Sequence, residues 1–336
     1  MTSSDVIAAV AGLRYVDSSE EGYRRVRKGR GFSYLDGQGS VVNGSEREWI
    51  QSLVIPPAWE DVWISPDRNG HILATGHDQA GRKQYIYHPR WEEARDEVKF
   101  ERVGEFGRRL PSLRRSVDTD LRRTGLPREK VVALAVAVLD RTLIRVGNRR
   151  YAMDNDSYGL TTLTRDHLDV EGLHVHLYFN GKGQAEHELA FRDRRLASLI
   201  SKCQELAGQT LFSYESAPGE IGSVQSADIN GYLAEATGSV FTAKDFRTWG
   251  ASALVTGELA PRSPDGEEEA TFLEAIDVAA ERLGNTREVC RDSYVHPEVQ
   301  ASWRDGRLSE SWKHSRSGKW VDRSESALRL VLESGS

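Results

Sequence analysis

The spacing of apolar positions changes twice along this chain of 336 residues. Residues 1 to about 30 begin apolar and turn basic in "EEGYRRVRKGRGFSYL". From 32 to 88, short apolar runs are punctuated by Gly, Pro and Asp. "GFSYLDGQGSVV" predicts two extended runs about an Asp-Gly turn, and "IPPAWEDVWIS" and "GHILATGHD" predict further strands. "GRKQYIYHP" alternates polar and aromatic side chains, so Tyr85 and Tyr87 fall on one face of a strand and Gln84 on the other. Together these runs predict a small, mostly antiparallel sheet.

Past His88 the pattern is helical. "RWEEARDEVKFERVGEFGRRLPSLRRSVDTDLRR" predicts a charged helix broken at Pro111. "PREKVVALAVAVLDRTLIRVG" (127–147) opens on Pro, ends in Gly and carries a broad apolar face, which predicts a long core helix ending at Arg145. A strand island follows, in which "YGLTTLT", "LHVHLYF" and "AEHELAF" read as extended and "NGKGQ" joins the last two. From 192 onward the chain reads as helical, with loops at "SAPGE" and "ELAPRSPDGEEE". The tail 311–336, "SWKHSRSGKWVDRSESALRLVLESGS", fits either a packed helix or a mobile end. The expected fold class is α+β with two domains. Residues 1–94 form a small antiparallel β-sheet domain, and 95–336 a mainly α-helical domain with a small three-stranded sheet.

Composition narrows the function classes. The chain is 38% hydrophobic and 29% charged, and its longest apolar run, "VVALAVAVL" (131–139), is too short to span a bilayer. The N-terminus has neither a basic opening nor a long apolar stretch, so no signal peptide is expected. Cys203 and Cys290 make neither a disulfide framework nor a metal spacing, which fits a reducing cytosol. Net charge is −6 with a pI near 5.9, mildly against a nucleic-acid partner. However, 45 Lys and Arg stand beside 51 acids, which leaves room for a basic face away from acidic segments such as "SPDGEEEAT", so net charge alone is a poor guide.

No phosphate-binding glycine loop, dinucleotide fingerprint, zinc-protease motif or nucleophile elbow is present. What remains is a set of single residues at element ends. Arg145 in "LIRVGNRRY" suits the last turn of a helix by the macrodipole alone. Lys182 lies at the tip of a hairpin in "FNGKGQ", where lysines are ordinarily solvated. Arg247 sits beside Trp249 in "AKDFRTWGAS", where a stacked or ion-paired arginine is the bland reading. Asn285 in "RLGNT" reads as a helix cap, and Tyr294 before His296 and Pro297 as a packing residue. His174 and His176 alternate on one strand with His187 on the next, a weak zinc pattern lacking a fourth ligand.

Taken together and in this order, these segments resemble the type IB DNA topoisomerases, in particular their compact poxvirus-like and bacterial branch. The resemblance runs through "LVIPPAWEDVWISP", "ATGHDQAGRKQYIYHPRW", "IRVGNRRYAMDNDSYGLTTLTRDHL", "FNGKG", "FTAKDFRTWGAS" and "ERLGNTREVCRDSYVHP", nearly the whole chain. It implies a fold like that of the tyrosine recombinases and topoisomerases IB. It also implies strand cleavage through a 3′-phosphotyrosyl link, strand rotation and religation, without ATP, metal or other cofactor. By the resemblance Tyr294 would be the nucleophile, Arg145 and Arg247 the clamp on the phosphoryl oxygens, and Lys182 the general acid. Asn285 stands where many relatives carry histidine. An amide donates a hydrogen bond there but takes no proton, so its expected role is transition-state donor.

Gln84, Tyr85 and Tyr87 match the family's major-groove stretch, and Arg150, Tyr151 and Lys244 match backbone contacts near the scissile phosphate. Arg82 and Lys83 are added as phosphate contacts on charge alone. The expected partner is double-stranded DNA, held by a monomer closing as a C-shaped clamp, with no membrane partner. The expected location is the cytoplasm, at the bacterial nucleoid. Two rivals share these residues. One is a tyrosine site-specific recombinase, which usually carries His three residues before its second Arg, where this chain has Lys244. The other is a catalytically silent DNA clamp.

Overall fold

The computed structural model describes residues 3–217, 219–264 and 266–334. The chain divides into two compact units, Met1–Glu101 and Arg102–Ser336.

The first unit contains α1 (Ser3–Val10), β1 (Tyr23–Lys28), β2 (Gly31–Leu35), α2 (Gly44–Ser52), β3 (Glu60–Ile64), β4 (Ile72–His77) and β5 (Lys83–Tyr87). Its strands form one antiparallel sheet in the order β2-β1-β3-β4-β5. Tyr34, Val62, Ile64 and Ala74 pack with Ile50 of α2 to make the core on one side. A smaller cluster of Ile7, Leu13, Trp91 and Ala94 packs with Tyr87.

Two expectations fail here. The run after the Asp-Gly turn meets β2 only through an isolated Leu35–Val41 bridge, while β2 pairs along its length with β1. The basic run "YRRVRK" is thus a strand, because Gly29, at φ 60°, turns it back on "GFSYL". "GSEREWIQS", inside the stretch read as extended, is α2, with Glu46 in its first turn and Ile50 fully buried.

The second unit holds most of α3 (Pro89–Asp120), α4 (Arg128–Thr142), α5 (Arg149–Asn155), β6 (Leu168–Glu171), β7 (His174–Asn180), β8 (Glu186–Arg192), α6 (Arg194–Glu205), β9 (Ser213–Ala217) and β10 (Glu220–Ser223). Then come α7 (Ser226–Thr237), α8 (Ala243–Leu259), α9 (Glu268–Leu283), α10 (Arg287–Tyr294), α11 (Pro297–Arg304), α12 (Arg307–His314) and α13 (Arg323–Ser334). β6-β7-β8 is an antiparallel meander and β9-β10 a hairpin. The architecture is therefore an N-terminal antiparallel sheet followed by a mostly helical region with small sheets. Among the described residues, no helix is long and apolar enough to cross a membrane.

The helical region corrects the sequence reading in three places. α3 passes through Pro111 without a break. A proline inside a helix costs about 3 kcal/mol, but Phe106, Leu110, Leu113 and Val117 are all buried on α3. Each buried side chain of that size is worth about 1.5–3 kcal/mol, so packing wins. "YGLTTLT" is a single 3-10 turn at Leu160–Thr162, and the third strand of the meander is "LDVE". The stretch read as helical around 213–223 holds two paired strands instead, β9 and β10. Of the two alternatives left open for the tail, the structure has the packed helix, described as far as Ser334. The tail completes α12 and, through α13, buries Ala327, Leu328 and Val331.

Candidate active site

The long core helix α4 stops at Thr142, two residues before Ile144. Leu143 caps it in the left-handed conformation, φ 56°, and the chain leaves the helix as an extended segment. Arg145 is therefore on a loop, not on the helix end expected from the sequence. That loop is held by the 3-10 turn beside it. Leu160 N–H donates to the Arg145 carbonyl at 2.9 Å and Thr161 N–H to that of Val146 at 2.8 Å. A Cβ on Gly159 would lie 2.6 Å from the Arg145 carbonyl, so a side chain there would push the loop away.

Arg247 is reached from the other direction. Thr242 and Asp245 cap the start of α8, and Thr242 N–H donates to Asp245 Oδ2 at 2.7 Å. One turn further, Arg247 is 4% exposed. Its guanidinium donates to the carbonyl of Leu143, the cap of α4, and at 3.0 Å to that of Leu283, the last residue of α9. Both are C-terminal carbonyls, which carry the negative end of a helix dipole. Burial lowers the guanidinium's pKa, partly offset by the attraction of the Tyr294 phenol.

The α9–α10 turn supplies the amide. Gly284 is the left-handed C-cap of α9 at φ 57°, and Thr286 is the N-cap of α10, its hydroxyl accepting from Val289 N–H at 3.3 Å. The capping roles are thus taken on both sides, and the Asn285 side chain turns to Arg145 instead. Asn285 Oδ1 accepts from the Arg145 guanidinium, which also reaches the Gly284 carbonyl at 3.5 Å. Asn285 Nδ2 is buried and unpartnered, and so is Arg247 Nε. Neither arginine meets a carboxylate among the described residues.

Tyr294 ends α10 and is half-buried. Its ring lies 4.9 Å from the Arg247 guanidinium carbon. Burial alone would raise the phenol's pKa, but the positive charges of Arg247, Arg145 and Lys244 outweigh it and hold the phenol below its ordinary value. The backbone here is pinned by a residue the sequence reading passed over. Ser252, on α8 with Arg247, accepts from His296 N–H at 3.0 Å, and its hydroxyl proton is shared between the Thr248 carbonyl at 2.8 Å and the Tyr294 carbonyl at 3.2 Å. One helix thus sets both the cation and the phenol.

Four of the expected residues, Tyr294, Arg145, Arg247 and Asn285, are brought together, with Lys244 close enough to act on the phenol by charge. Lys182 is exposed on the β7-β8 turn and shares none of these hydrogen bonds. Arg150, on α5, is exposed and lies 3.5 Å from Asp154. The side chain of Tyr151 lies outside the described residues.

In the N-terminal unit, Arg82 and Gln84 both donate to Asp78 Oδ2, at 2.8 and 2.9 Å. Hydrogen bonds and the charge of Arg82 hold the Asp78 carboxyl at a pKa of about 2. Lys83 donates to Ser18 Oγ at 2.7 Å and stands 5.6 Å from the Tyr85 ring. Tyr85 is exposed, while Tyr87 stacks on Trp91 and packs into the small cluster.

The zinc pattern does not survive the strand register. His187 pairs with Phe179, which puts it on the face opposite His174 and His176. Among the described residues no group of three His, Cys, Asp or Glu is placed to hold a metal ion.

Two guanidinium groups without a carboxylate, with unpaired donors on Arg247 and Asn285, gathered around a phenol of lowered pKa, suit attack on a tetrahedral anion. Comparison with known proteins agrees in kind. Residues 88–309 match the sequence model of the eukaryotic DNA topoisomerase I catalytic core. Residues 31–78 match that of the bacterial DNA topoisomerase IB N-terminal domain. The DNA topoisomerase 1B of Acanthamoeba polyphaga mimivirus is 31% identical over 287 residues, covering 82% of this chain and 85% of that protein. The DNA topoisomerase 1B of vaccinia virus (strain Copenhagen) is 24% identical over 148 residues, 42% of this chain and 46% of its own.

Proposed function

The chain belongs to the type IB DNA topoisomerases, and from that premise we propose that Tyr294 is the nucleophile of a metal- and ATP-independent strand cleavage. The Tyr294 phenol oxygen attacks a backbone phosphorus and the bond to the deoxyribose 5′-oxygen breaks. The phenol proton leaves to solvent, and the Lys182 ammonium gives a proton to the leaving oxygen. The products are a 3′-phosphotyrosyl protein and a free 5′-hydroxyl end. Rotation of that end about the intact strand releases torsion, and the reverse step reseals the backbone.

The observation that carries this reading is the buried Arg247 set over the phenol without a carboxylate. A buried cation is costly unless compensated, and here carbonyl dipoles compensate it only in part. An incoming phosphate completes the balance. Arg145 and Arg247 neutralise the equatorial oxygens of the transition state, with a fork geometry that lysine lacks. Asn285 Nδ2 and Arg247 Nε, without partners in the free protein, donate to the same oxygens. Protein cations thus do the work that metal ions do at other phosphoryl-transfer sites. Lys182 on an exposed turn comes into line only when DNA is bound.

The fold is that of the tyrosine recombinases and topoisomerases IB. The protein acts as a monomer that closes on duplex DNA as a C-shaped clamp in the bacterial cytoplasm, at the nucleoid. Tyr85 and Gln84 read the major groove, with the half-buried Tyr87 behind Tyr85. Arg82, Lys83, Arg150, Tyr151 and Lys244 touch the backbone. The test is supercoiled plasmid relaxed in excess EDTA and quenched with detergent. Protein should be trapped on the 3′ end of a nick, and Tyr294→Phe should form no adduct while still binding duplex. An adduct in Tyr294→Phe, or one on a 5′ end, would remove Tyr294 or the polarity from the scheme.

A further inference from the structure

We infer that His187 is a positioning residue for Lys182, its ring the spacer that sets the Lys182 turn against the Gly284–Asn285 turn. His187 lies in β8 and its ring stacks on Phe179 of β7, centroids 4.9 Å apart at 7°. On two sides it meets glycine. A Cβ on Gly181 would fall 2.4 Å from His187 Nε2, and a Cβ on Gly284 would fall 2.0 Å from His187 Cε1. Gly181 immediately precedes Lys182, and Gly284 immediately precedes Asn285.

The two glycines are not equivalent. Gly284 needs its left-handed φ of 57° to cap α9, so any side chain is disfavoured there. Gly181 has no positive φ. Its want of a side chain traces to the histidine ring alone. The base of the turn is also held by Gly181 N–H to the Ala185 carbonyl at 2.7 Å, Gln184 N–H to the Gly181 carbonyl at 3.1 Å and Tyr158 N–H to the Asn180 carbonyl at 2.7 Å, while the Gln184 side chain donates to the Asn155 carbonyl; none of these faces the Gly284–Asn285 turn. Beyond that base the turn is exposed, with Gly183 and Gln184 both left-handed.

The ring is therefore the packed contact between the strand pair that carries Lys182 and the turn that carries Asn285, whose Oδ1 accepts from Arg145. Burial, with the charges of Arg145 and Arg247 nearby, keeps the imidazole neutral by lowering its pKa. A neutral ring suits a packing role between two cationic elements. Without it, Lys182 stays on the protein but the turn loses the footing from which it comes into line when DNA is bound.

The inference rests on Lys182 being the general acid, so the experiment separates the two. Single-turnover adduct formation is measured on ordinary DNA and on DNA with sulfur in place of the bridging 5′-oxygen, whose thiolate leaves without a proton. Lys182→Ala is the reference, slow on oxygen and restored on sulfur. His187→Ala is expected to be about 100-fold slow on oxygen, the scale of an ångström-level misplacement, and restored on sulfur. His187→Phe keeps the stack and stays close to wild type on both. Gly181→Ala is slow, and adding His187→Ala speeds it, because the methyl then occupies vacated space. If Lys182→Ala is not restored on sulfur, the general-acid reading falls and this inference with it. If Lys182→Ala is restored but His187→Ala is equally slow on both substrates, or unaffected on oxygen, only the role of His187 falls.

Discussion

Arg114 and Arg247 both lie in the helical unit, and their surroundings could hardly differ more. Arg114, on α3, gives two hydrogen bonds to Asp140 at 2.7 and 2.8 Å and two to Glu325 at 2.7 and 2.8 Å, with a fifth to the Trp320 carbonyl at 2.7 Å. Arg247, on α8, has two backbone carbonyls, a phenol ring and an idle Nε. Both sites hang on the same helix, since Trp249 Nε1 donates to Glu325 Oε1 at 3.0 Å. Residue type does not separate a structural arginine from a chemical one, and the deeper burial of Arg247 would by itself mark it as the structural one. The partner separates them. Two carboxylates leave Arg114 electrically closed, and its pKa is raised because they outweigh the burial that would lower it. Arg247 has only dipoles, so its positive charge is still available to an anion.

The sharpest way to break this contrast is truncation. Arg247→Ala should slow cleavage by about 10³-fold, the scale for losing one transition-state donor, and leave unfolding by urea essentially unchanged. A variant that unfolds early in proportion to its loss of rate would make Arg247 a second Arg114. The converse change, Arg114→Ala, strands two carboxylates and should cost about 3–5 kcal/mol of stability, read as a lower urea midpoint. Its cleavage rate per folded molecule should stay close to wild type, and a deep loss there would merge the two sites.

A gentler probe is pH. Tyr294 is half-buried, and burial raises its pKa, but Arg247, Arg145 and Lys244 overcome that. Its ionised fraction therefore grows with pH through a midpoint below the ordinary 10.0, and the single-turnover rate should rise and level off there. Lys244→Ala should move the midpoint up, and Arg247→Lys, with the point charge displaced from the ring, should move it further. A profile insensitive to both would detach the phenol from the cations. The smallest effect is expected in the N-terminal sheet, where cations already have partners. Arg82→Ala, freeing Asp78, should weaken duplex binding slightly and lower the slope of log affinity against log salt by about 0.9. An unchanged slope would take Arg82 out of the interface.

How far the site could be read from sequence differs residue by residue. Tyr294, Arg145, Arg247 and Asn285 were found through the order of their motifs, and the structure gathers them. Ser252 was not, because a serine five positions after an arginine carries no local signal. Its role appears only when α8 meets the segment after α10. His187 was noticed as a metal ligand, since alternation in "HVHLYF" and a histidine on the next strand suggest one face. Register put it on the other. Pro111 and "YGLTTLT" misled for a related reason. A local propensity is worth about 1 kcal/mol per residue or a few for proline, and contacts from distant elements exceed it.

By itself the amino-acid sequence determined the antiparallel character of the first unit, the helical character of the second, the Lys182 hairpin and the chemical types at the site. Those follow from periodicity, turn residues and side-chain identity, which act over a few positions. Which arginine closes on carboxylates and which is left open to an anion was decided only in three dimensions. Arg247 meets the ends of α4 and α9, 104 and 36 residues away, and Arg114 meets Glu325, 211 residues away. Electrostatic environment is a sum over neighbours in space, and packing alone chooses those neighbours.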